Sequence, residues 1–295
     1  MAFFDAVEHG GRRILVVGAS GLVGGALLRA LGTTGVGTYL RRPRPGLLRL
    51  DAADRDTVAR LLAEVRPDSV LFPAAEPGVD WCEEHPEEAR EKNTRPALTT
   101  LSAALDVGAH FVFFSTDYVF DGAEGPYMED DRPAPLQVYG RIKLDIEKAV
   151  LGAGETVLRT TTVFGEEAPP PKNFAVHLVE RLRARERVRV PNDQISTPTW
   201  VDDLARASLA VAGRAGVWHA AGPRLVSRDE FARLIATTFD LEPDLIEGVT
   251  TEELAQRAPR PLRGGLRTEK IATLLHEPFL PPDEALVLLR RRSTR

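Results

Sequence analysis

One cysteine, Cys82, stands in 295 residues. A chain with a single thiol builds no internal disulfide and no multi-cysteine metal centre. Histidine is also scarce: the six are dispersed, with no pair at ligand spacing on one helix, so no metal is expected. Neither charge is in excess. The 38 Lys and Arg against 43 Asp and Glu leave a formal net charge of -5, with the arginines scattered rather than gathered, and nucleic acid is therefore not an expected partner. No apolar run is long enough to span a bilayer, so no membrane is expected, and neither an internal repeat nor a low-complexity tract occurs. Residues 1–13 are short, mixed and charged, unlike a signal peptide. What remains is a cytoplasmic globular protein with room for one large core or two unequal ones.

What the chain does contain is alternation. From Arg13, a continuous apolar run passes into glycines and then into leucines and alanines at helical spacing, which predicts strand, tight turn and helix. Short strands ending near Arg42, Asp51 and Glu76 follow, the one ending at Asp51 leading into a helix that Asp54 is placed to cap. A long helix ends near Gly108, and a fifth strand exits at Ser115-Thr116-Asp117. A helix from Val138 leads to a sixth strand, read as one run from Glu155 to Gly165. This order predicts an α/β fold, a Rossmann-type doubly wound parallel sheet. The texture then changes, through the proline-rich 166–173, to shorter mixed elements. The expected division is a Rossmann domain over 1–165 with about 201–220, and a smaller mixed α/β substrate lobe from 166–200 and 221–295.

The turn Gly18, Ser20, Gly21, Leu22, Val23, Gly24 sits where a strand meets a helix. Glycine there permits positive φ and close approach of a pyrophosphate to a helix N-terminus, although a glycine turn also serves α/β proteins that bind nothing. At the end of the second strand, where an acidic residue would hold a ribose 2′-hydroxyl, stand Arg41 and Arg42, whose guanidinium groups suit a 2′-phosphate; the plainer reading is an exposed basic loop. NADP(H) is preferred on this ground and NAD(H) stays open. Asp51 either accepts from the adenine amino group or closes a turn. Asn93, on the long helix, either orients a water or main-chain group or is an ordinary surface residue.

Tyr139 and Lys143, four apart, share one helical face, where an ammonium lowers the phenol from its ordinary value of about 10 and makes it a usable general acid. Such pairs also arise by chance. Ser115-Thr116-Asp117 lies at the C-terminal strand edge where open α/β sheets place ligands, so Thr116 is placed to hold a carbonyl oxygen while Tyr139 delivers a proton. Candidate substrate contacts are Thr116, Asp117, Val119, Asn173, Gln194 and Trp200, the last two in a polar loop that equally reads as a plain connection. Cys82, beside Trp81, reads as packed rather than nucleophilic.

Taken together, GASGLVGG, AAEPGVDWCEEHPEEAREKN, FFSTDYVFDG, YGRIKLDIEKAV, LRTTTVFGE and DQISTPTWVDDLA resemble the extended short-chain dehydrogenases/reductases, and among them the dTDP-4-dehydrorhamnose reductase family, over nearly the whole chain. The resemblance implies a catalytic set of Thr116, Tyr139 and Lys143, with Ala74, Ala75 and Glu76 lining the nicotinamide side. It also implies a nucleotide-linked 4-keto-6-deoxyhexose as substrate, and it leaves a homodimer open. The sequence departs from the family pattern at Pro73, where asparagine is usual, and at Arg260-Pro261-Leu262-Arg263-Gly264-Gly265-Leu266. The chain is similar as well to the regulatory beta subunit of methionine adenosyltransferase, which implies a binding role in place of turnover.

Overall fold

The structure, a computed structural model, describes residues 12–167 and 173–293. In chain order the first part contains β1 (Ile14–Val16), α1 (Leu22–Leu31), β2 (Gly35–Tyr39), β3 (Leu48–Arg49), α2 (Arg55–Val65), β4 (Ser69–Phe72), α3 (Val79–Glu84), α4 (Pro86–Asp106), β5 (His110–Thr116), α5 (Val138–Gly152) and β6 (Thr156–Thr160). The remainder contains β7 (Val163–Phe164), α6 (Phe174–Arg183), β8 (Val188–Pro191), β9 (Ile195–Ser196), β10 (Thr199–Trp200), α7 (Val201–Val211), β11 (Gly216–His219), β12 (Val226–Ser227), α8 (Arg228–Thr238), β13 (Ile246–Val249), α9 (Thr251–Leu254), α10 (Glu269–Ala272) and α11 (Pro282–Ser293).

Seven strands form one sheet in the order β11-β6-β5-β4-β1-β2-β3, every neighbouring pair parallel. The strand order reverses direction about β1 and β4, as a doubly wound sheet requires, and both faces are covered. The pleat sorts the side chains. Phe111, Phe113 and Val157 pack with Ile142 and Ile146 of α5, whereas Val112, Phe114 and Leu158 pack with Leu27 of α1 and Leu204 of α7. Each fully buried phenylalanine contributes about 1.5–3 kcal/mol. α2 starts where Asp54 accepts from the amides of Asp56 and Thr57, the cap its position predicts.

The expected single sixth strand is two. β6 stays in the large sheet, but at Thr161 the chain leaves it, the Thr161 hydroxyl donating to the Thr197 carbonyl, and β7 pairs with β10. A second core gathers Phe164, Leu178, Trp200, Phe231, Ile235 and Leu286 beside three two-stranded sheets, two parallel and one antiparallel. β11 pairs with β6 and α7 packs on α1, so both belong to the large sheet's layers. The proline-rich expectation at 166–173 falls mostly on residues 168–172, outside the described ones.

Candidate functional site

Gly18 has φ of +95°, and a Cβ there would stand 2.9 Å from Ala74 Cβ; the glycine therefore lets the loop after β4 cross the loop after β1. Gly24 is tighter still: its Cβ would meet the Gly18 carbonyl oxygen at 2.4 Å and Ala19 Cα at 2.6 Å. Gly21 is the extended N-cap of α1, the first turn carries no acidic side chain, and Leu22 and Val23 pack on the α1–α7 core, so that helix end keeps its positive pole and free amides. Ser20, half-buried, lies in the same turn.

At the end of β2, Arg41 is exposed and Arg42 half-exposed, and neither has a hydrogen-bond or ion-pair partner among the described residues. Asp51 lies two residues beyond β3, exposed, and accepts from the Ala53 amide at 3.0 Å, which is the turn reading. Ala74 and Ala75 continue from β4 into Glu76, which Asn93 clamps. The Asn93 Oδ1 accepts from the Glu76 amide at 3.0 Å, and its Nδ2 donates to the carbonyls of Glu76 and Ala89. At 4% exposure Asn93 is not a surface residue; it orients main chain. Cys82 is fully buried behind that loop, donating to the Glu76 carbonyl at 3.7 Å, and burial, with Glu76 and Glu83, pushes the thiol up to about 11. It is a packed thiol, not a nucleophile.

Tyr139 opens α5 and Lys143 stands one turn on, over the Tyr139 ring at 5.7 Å and over Phe113 at 4.5 Å. The ammonium donates to the Phe114 carbonyl at 2.8 Å. The expected lowering of the phenol is overturned: burial first, then Cys82, Asp117 and Tyr118, raise Tyr139 well above its ordinary value. The ammonium is committed to a carbonyl on β5, and burial brings the lysine down as well, to about 8.

Thr116 ends β5 in register with Thr160 of β6. Its hydroxyl accepts from the Tyr118 amide at 3.2 Å and donates to Asp117 Oδ1 at 3.3 Å. Asp117 is 6% exposed and pushed up to about 6 by burial, against bonds from the Gly265 amide and Thr116 and the nearby Arg228. Ser115 Oγ and Thr160 Oγ1 are buried without a partner. The departure at 260–266 is thus a strap. Gly125 and Tyr127 amides donate to the Arg263 and Gly265 carbonyls, the Ile195 amide donates to Leu262, and Arg260 pairs with Asp80 of α3 at 2.9 Å.

Four candidate substrate contacts are engaged within the protein itself. Val119 is fully buried with Phe120, Tyr127 and Leu266. Asn173 caps α6, its Oδ1 accepting from the Val176 amide and its Nδ2 donating to the Gly165 carbonyl and Glu167. Gln194 spends its amide donors on Thr251 and Gln256. Trp200, 2% exposed, packs on Phe164 at 5.6 Å between ring centroids. Loop composition advertised polarity in all four regions, but burial and capping claimed these side chains. Sequence reasoning missed Arg228, which stacks on Phe174 at 4.8 Å, has no ion-pair partner among the described residues and acts electrostatically on Asp117 and Tyr118. It missed the Asp80–Arg260 pair as well; neither has a local signal, since the partners are remote in sequence. A cleft of about 300 Å³ lined by Gly125, Ile195, Ser227 and Gly264 adjoins the strap. The described residues contain no cluster of metal-ligating side chains, and no helix among them is long and apolar enough to cross a membrane.

A family model described as "RmlD substrate binding domain" matches residues 12–289. The spore coat polysaccharide biosynthesis protein SpsK of Bacillus subtilis is 32% identical over 253 residues, covering 84% of this chain and 87% of that protein. The methionine adenosyltransferase 2 subunit beta of Pongo abelii is 31% identical over 283 residues, 92% of this chain and 84% of that protein. The crystal structure of dTDP-4-dehydrorhamnose reductase from Bacillus anthracis in complex with NADP superposes with a TM-score of 0.85 at 26% identity, covering 95% of this chain and 99% of that one.

Proposed function

This chain belongs to the RmlD substrate-binding-domain family, and from that premise we propose that it is an NADPH-dependent reductase of a nucleotide-linked 4-keto-6-deoxyhexose. The observation that carries the reading is Lys143 over the Tyr139 ring on α5, with Asp117, bonded to Thr116 at the end of β5, acting electrostatically on that phenol. The residues present suit a dinucleotide: two glycines that let the turn close tightly on Ala74 and Ala19, a helix end free of acidic side chains, and two unpaired guanidinium groups at the end of β2. The residues of 18–24 would hold the pyrophosphate, Arg41 and Arg42 the 2′-phosphate, and Ala74, Ala75 and Glu76 would line the nicotinamide. When bound, the cofactor supplies hydride.

The chain's own residues do the rest. Thr116 holds the carbonyl oxygen, and Tyr139 gives that oxygen a proton as it becomes an alkoxide. A phenol raised by burial keeps its proton until a stronger base forms beside it, which suits an acid that fires late. Lys143, close by on α5, supplies positive charge for the phenolate left behind. Arg228, near Asp117 and Tyr118, is the cation there that no carboxylate pairs among the described residues, since Arg260 is held by Asp80, and it offers an anionic substrate a charge-assisted partner.

The test is consumption of NADPH with a dTDP-4-keto-6-deoxysugar. Tyr139→Phe is expected to abolish turnover while leaving NADPH binding intact; undiminished turnover in that variant refutes the assignment. A second reading, an NADP-binding regulatory subunit, is favoured by the likeness to methionine adenosyltransferase 2 subunit beta over 92% of the chain. It predicts cofactor binding without sugar turnover and co-elution with a methionine adenosyltransferase on gel filtration.

A further inference from the structure

We infer that Asp117 works in its protonated form, as the positioning residue that frees the Thr116 hydroxyl to donate to the substrate oxygen; this rests on the reductase reading above. A threonine hydroxyl has one proton and two lone pairs. On Thr116, one lone pair already takes the Tyr118 amide, and the hydroxyl stands 3.3 Å from Asp117 Oδ1, within donating reach. While Asp117 is a carboxylate, it competes with the substrate oxygen for the Thr116 proton. With a proton on Oδ1 the bond reverses: Asp117 donates to the remaining lone pair, and the Thr116 proton turns to a carbonyl oxygen. No proton is consumed by this pair, because the one that ends on the product comes from Tyr139.

The surroundings hold the carboxyl in place for that exchange. Asp117 Oδ2 lies against the strap, where a Cβ on Gly264 would stand 3.2 Å from it, and the nearby Gly265 amide favours the ionised carboxyl. The groups facing it are Tyr118 on its own turn, Tyr139 on α5, Arg228 on α8 and, next in reach of Arg228 and Tyr118, Arg260 on the strap and Asp80 on α3. Arg228 favours the carboxylate, but burial outweighs it and leaves the group at about 6. An ionised Asp117 also raises Tyr139, so neutral Asp117 serves both donors. An anionic substrate at Arg228 offsets the cation that favours ionisation. The alkaline limb set by Asp117 therefore falls at higher pH in kcat than in kcat/KM.

The experiment is the pH profile of kcat/KM for wild type, Asp117→Asn and Asp117→Ala with NADPH and a dTDP-4-keto-6-deoxysugar, with NADPH binding and circular dichroism checking the fold. Wild type is expected to fall roughly tenfold between about pH 5 and 7. Asparagine, whose amide donates to Thr116, is expected to vary less than about twofold, and alanine, which cannot accept the Thr116 proton, is expected to lose the limb as well. A purely structural role would leave the wild-type limb in the Asn variant, and that result overturns the inference, as does a folded Asn variant inactive at every pH. Carboxyl NMR of aspartate-labelled wild type gives a reading independent of any variant. A resonance titrating near 6 supports the inference and one titrating below about 4 overturns it. Absence of turnover in wild type at all pH values overturns the reductase reading, and the inference with it; turnover without the limb overturns the inference alone.

Discussion

Glu147→Gln tests the electrostatic support beneath the site. Glu147 sits one turn after Lys143 on α5, its side chain 1% exposed, and takes a two-pronged bond from Arg159 of β6, with Nη2 to Oε2 at 2.7 Å and Nε to Oε1 at 3.0 Å. Arg159 is 4% exposed and has beside it His219, which burial and Arg159 itself push down to about 3, so the histidine stays neutral. Removing the carboxylate leaves a guanidinium buried without its counter-charge, a loss of about 3–5 kcal/mol. For a chain of this size that lowers the thermal midpoint by roughly 10 °C, readable by circular dichroism. Glu147 also raises Lys143, so in the Gln variant the ammonium loses its proton at a pH below the present value of about 8. Under the reductase reading the alkaline limb from Lys143 then moves to lower pH. The double variant Glu147→Leu with Arg159→Met removes both charges and recovers most of the stability, since apolar replacement of a buried pair is close to neutral. A thermal midpoint for Glu147→Gln within about 2 °C of wild type would refute the reasoning.

Four further outcomes follow from the same geometry. Gly24→Ala drives a Cβ into the Gly18 carbonyl, and isothermal titration should show NADPH affinity reduced at least tenfold, with an order of 1–3 kcal/mol of strain. Replacing Arg41 and Arg42 together by alanine should weaken NADPH by more than tenfold and leave NADH nearly unchanged, because each charge-assisted bond contributes about 1.5–3 kcal/mol; equal losses for both cofactors would argue against a 2′-phosphate role. Trp200→Ala should cost about 3–5 kcal/mol in denaturant melts as a core deletion, while Trp200→Phe leaves the KM for sugar unmoved. Asp117, at about 6 against an ordinary 3.8, binds its proton more tightly folded than unfolded, so its contribution to stability is greatest below 3.8 and is lost as pH rises through 6. The thermal midpoint of Asp117→Asn should therefore gain on wild type between those values, and a constant difference from pH 4 to pH 7 would contradict the raised carboxyl.

The large sheet was legible because its signals are local. An apolar run ending in Gly18 needs only the steric demands of one turn, and Asp54 caps α2 with residues two and three positions away. The sixth strand misled because Thr160, Thr161 and Thr162 are equally good strand formers, and only the distant Thr197 carbonyl decides that the chain departs at Thr161. Helical spacing put Lys143 on the face of Tyr139, yet it could not show that the ammonium spends a hydrogen bond on Phe114, 29 positions away in sequence. Trp200 and Gln194 show the converse. A polar segment was legible, while the side chains it turns inward were not, since that depends on Phe164, Thr251 and Gln256.

Satisfied and unsatisfied polar groups are distributed unevenly, and the distribution bears on function. Away from the sheet edge, buried polar side chains of the second core are closed on themselves: Asn173 on Gly165 and Glu167, Gln194 on Thr251 and Gln256. Around the C-terminal ends of β5 and β6 they are not. Ser115 Oγ, Thr160 Oγ1 and both amide atoms of Gln137 lack partners, and Arg228 offers a guanidinium with no carboxylate across from it. Each such group costs on the order of 1–3 kcal/mol, a penalty that apolar replacements of the same shape would avoid. Thr94 Oγ1 and Arg224 Nε lack partners away from that edge too, but a fold selected for stability alone has no use for four such atoms gathered at one edge. A fold that must receive a polar, anionic molecule there does, and the proton bookkeeping of Thr116 and Asp117 follows the same logic: a donor held in reserve by a neighbour, released when the oxygen it is meant for arrives.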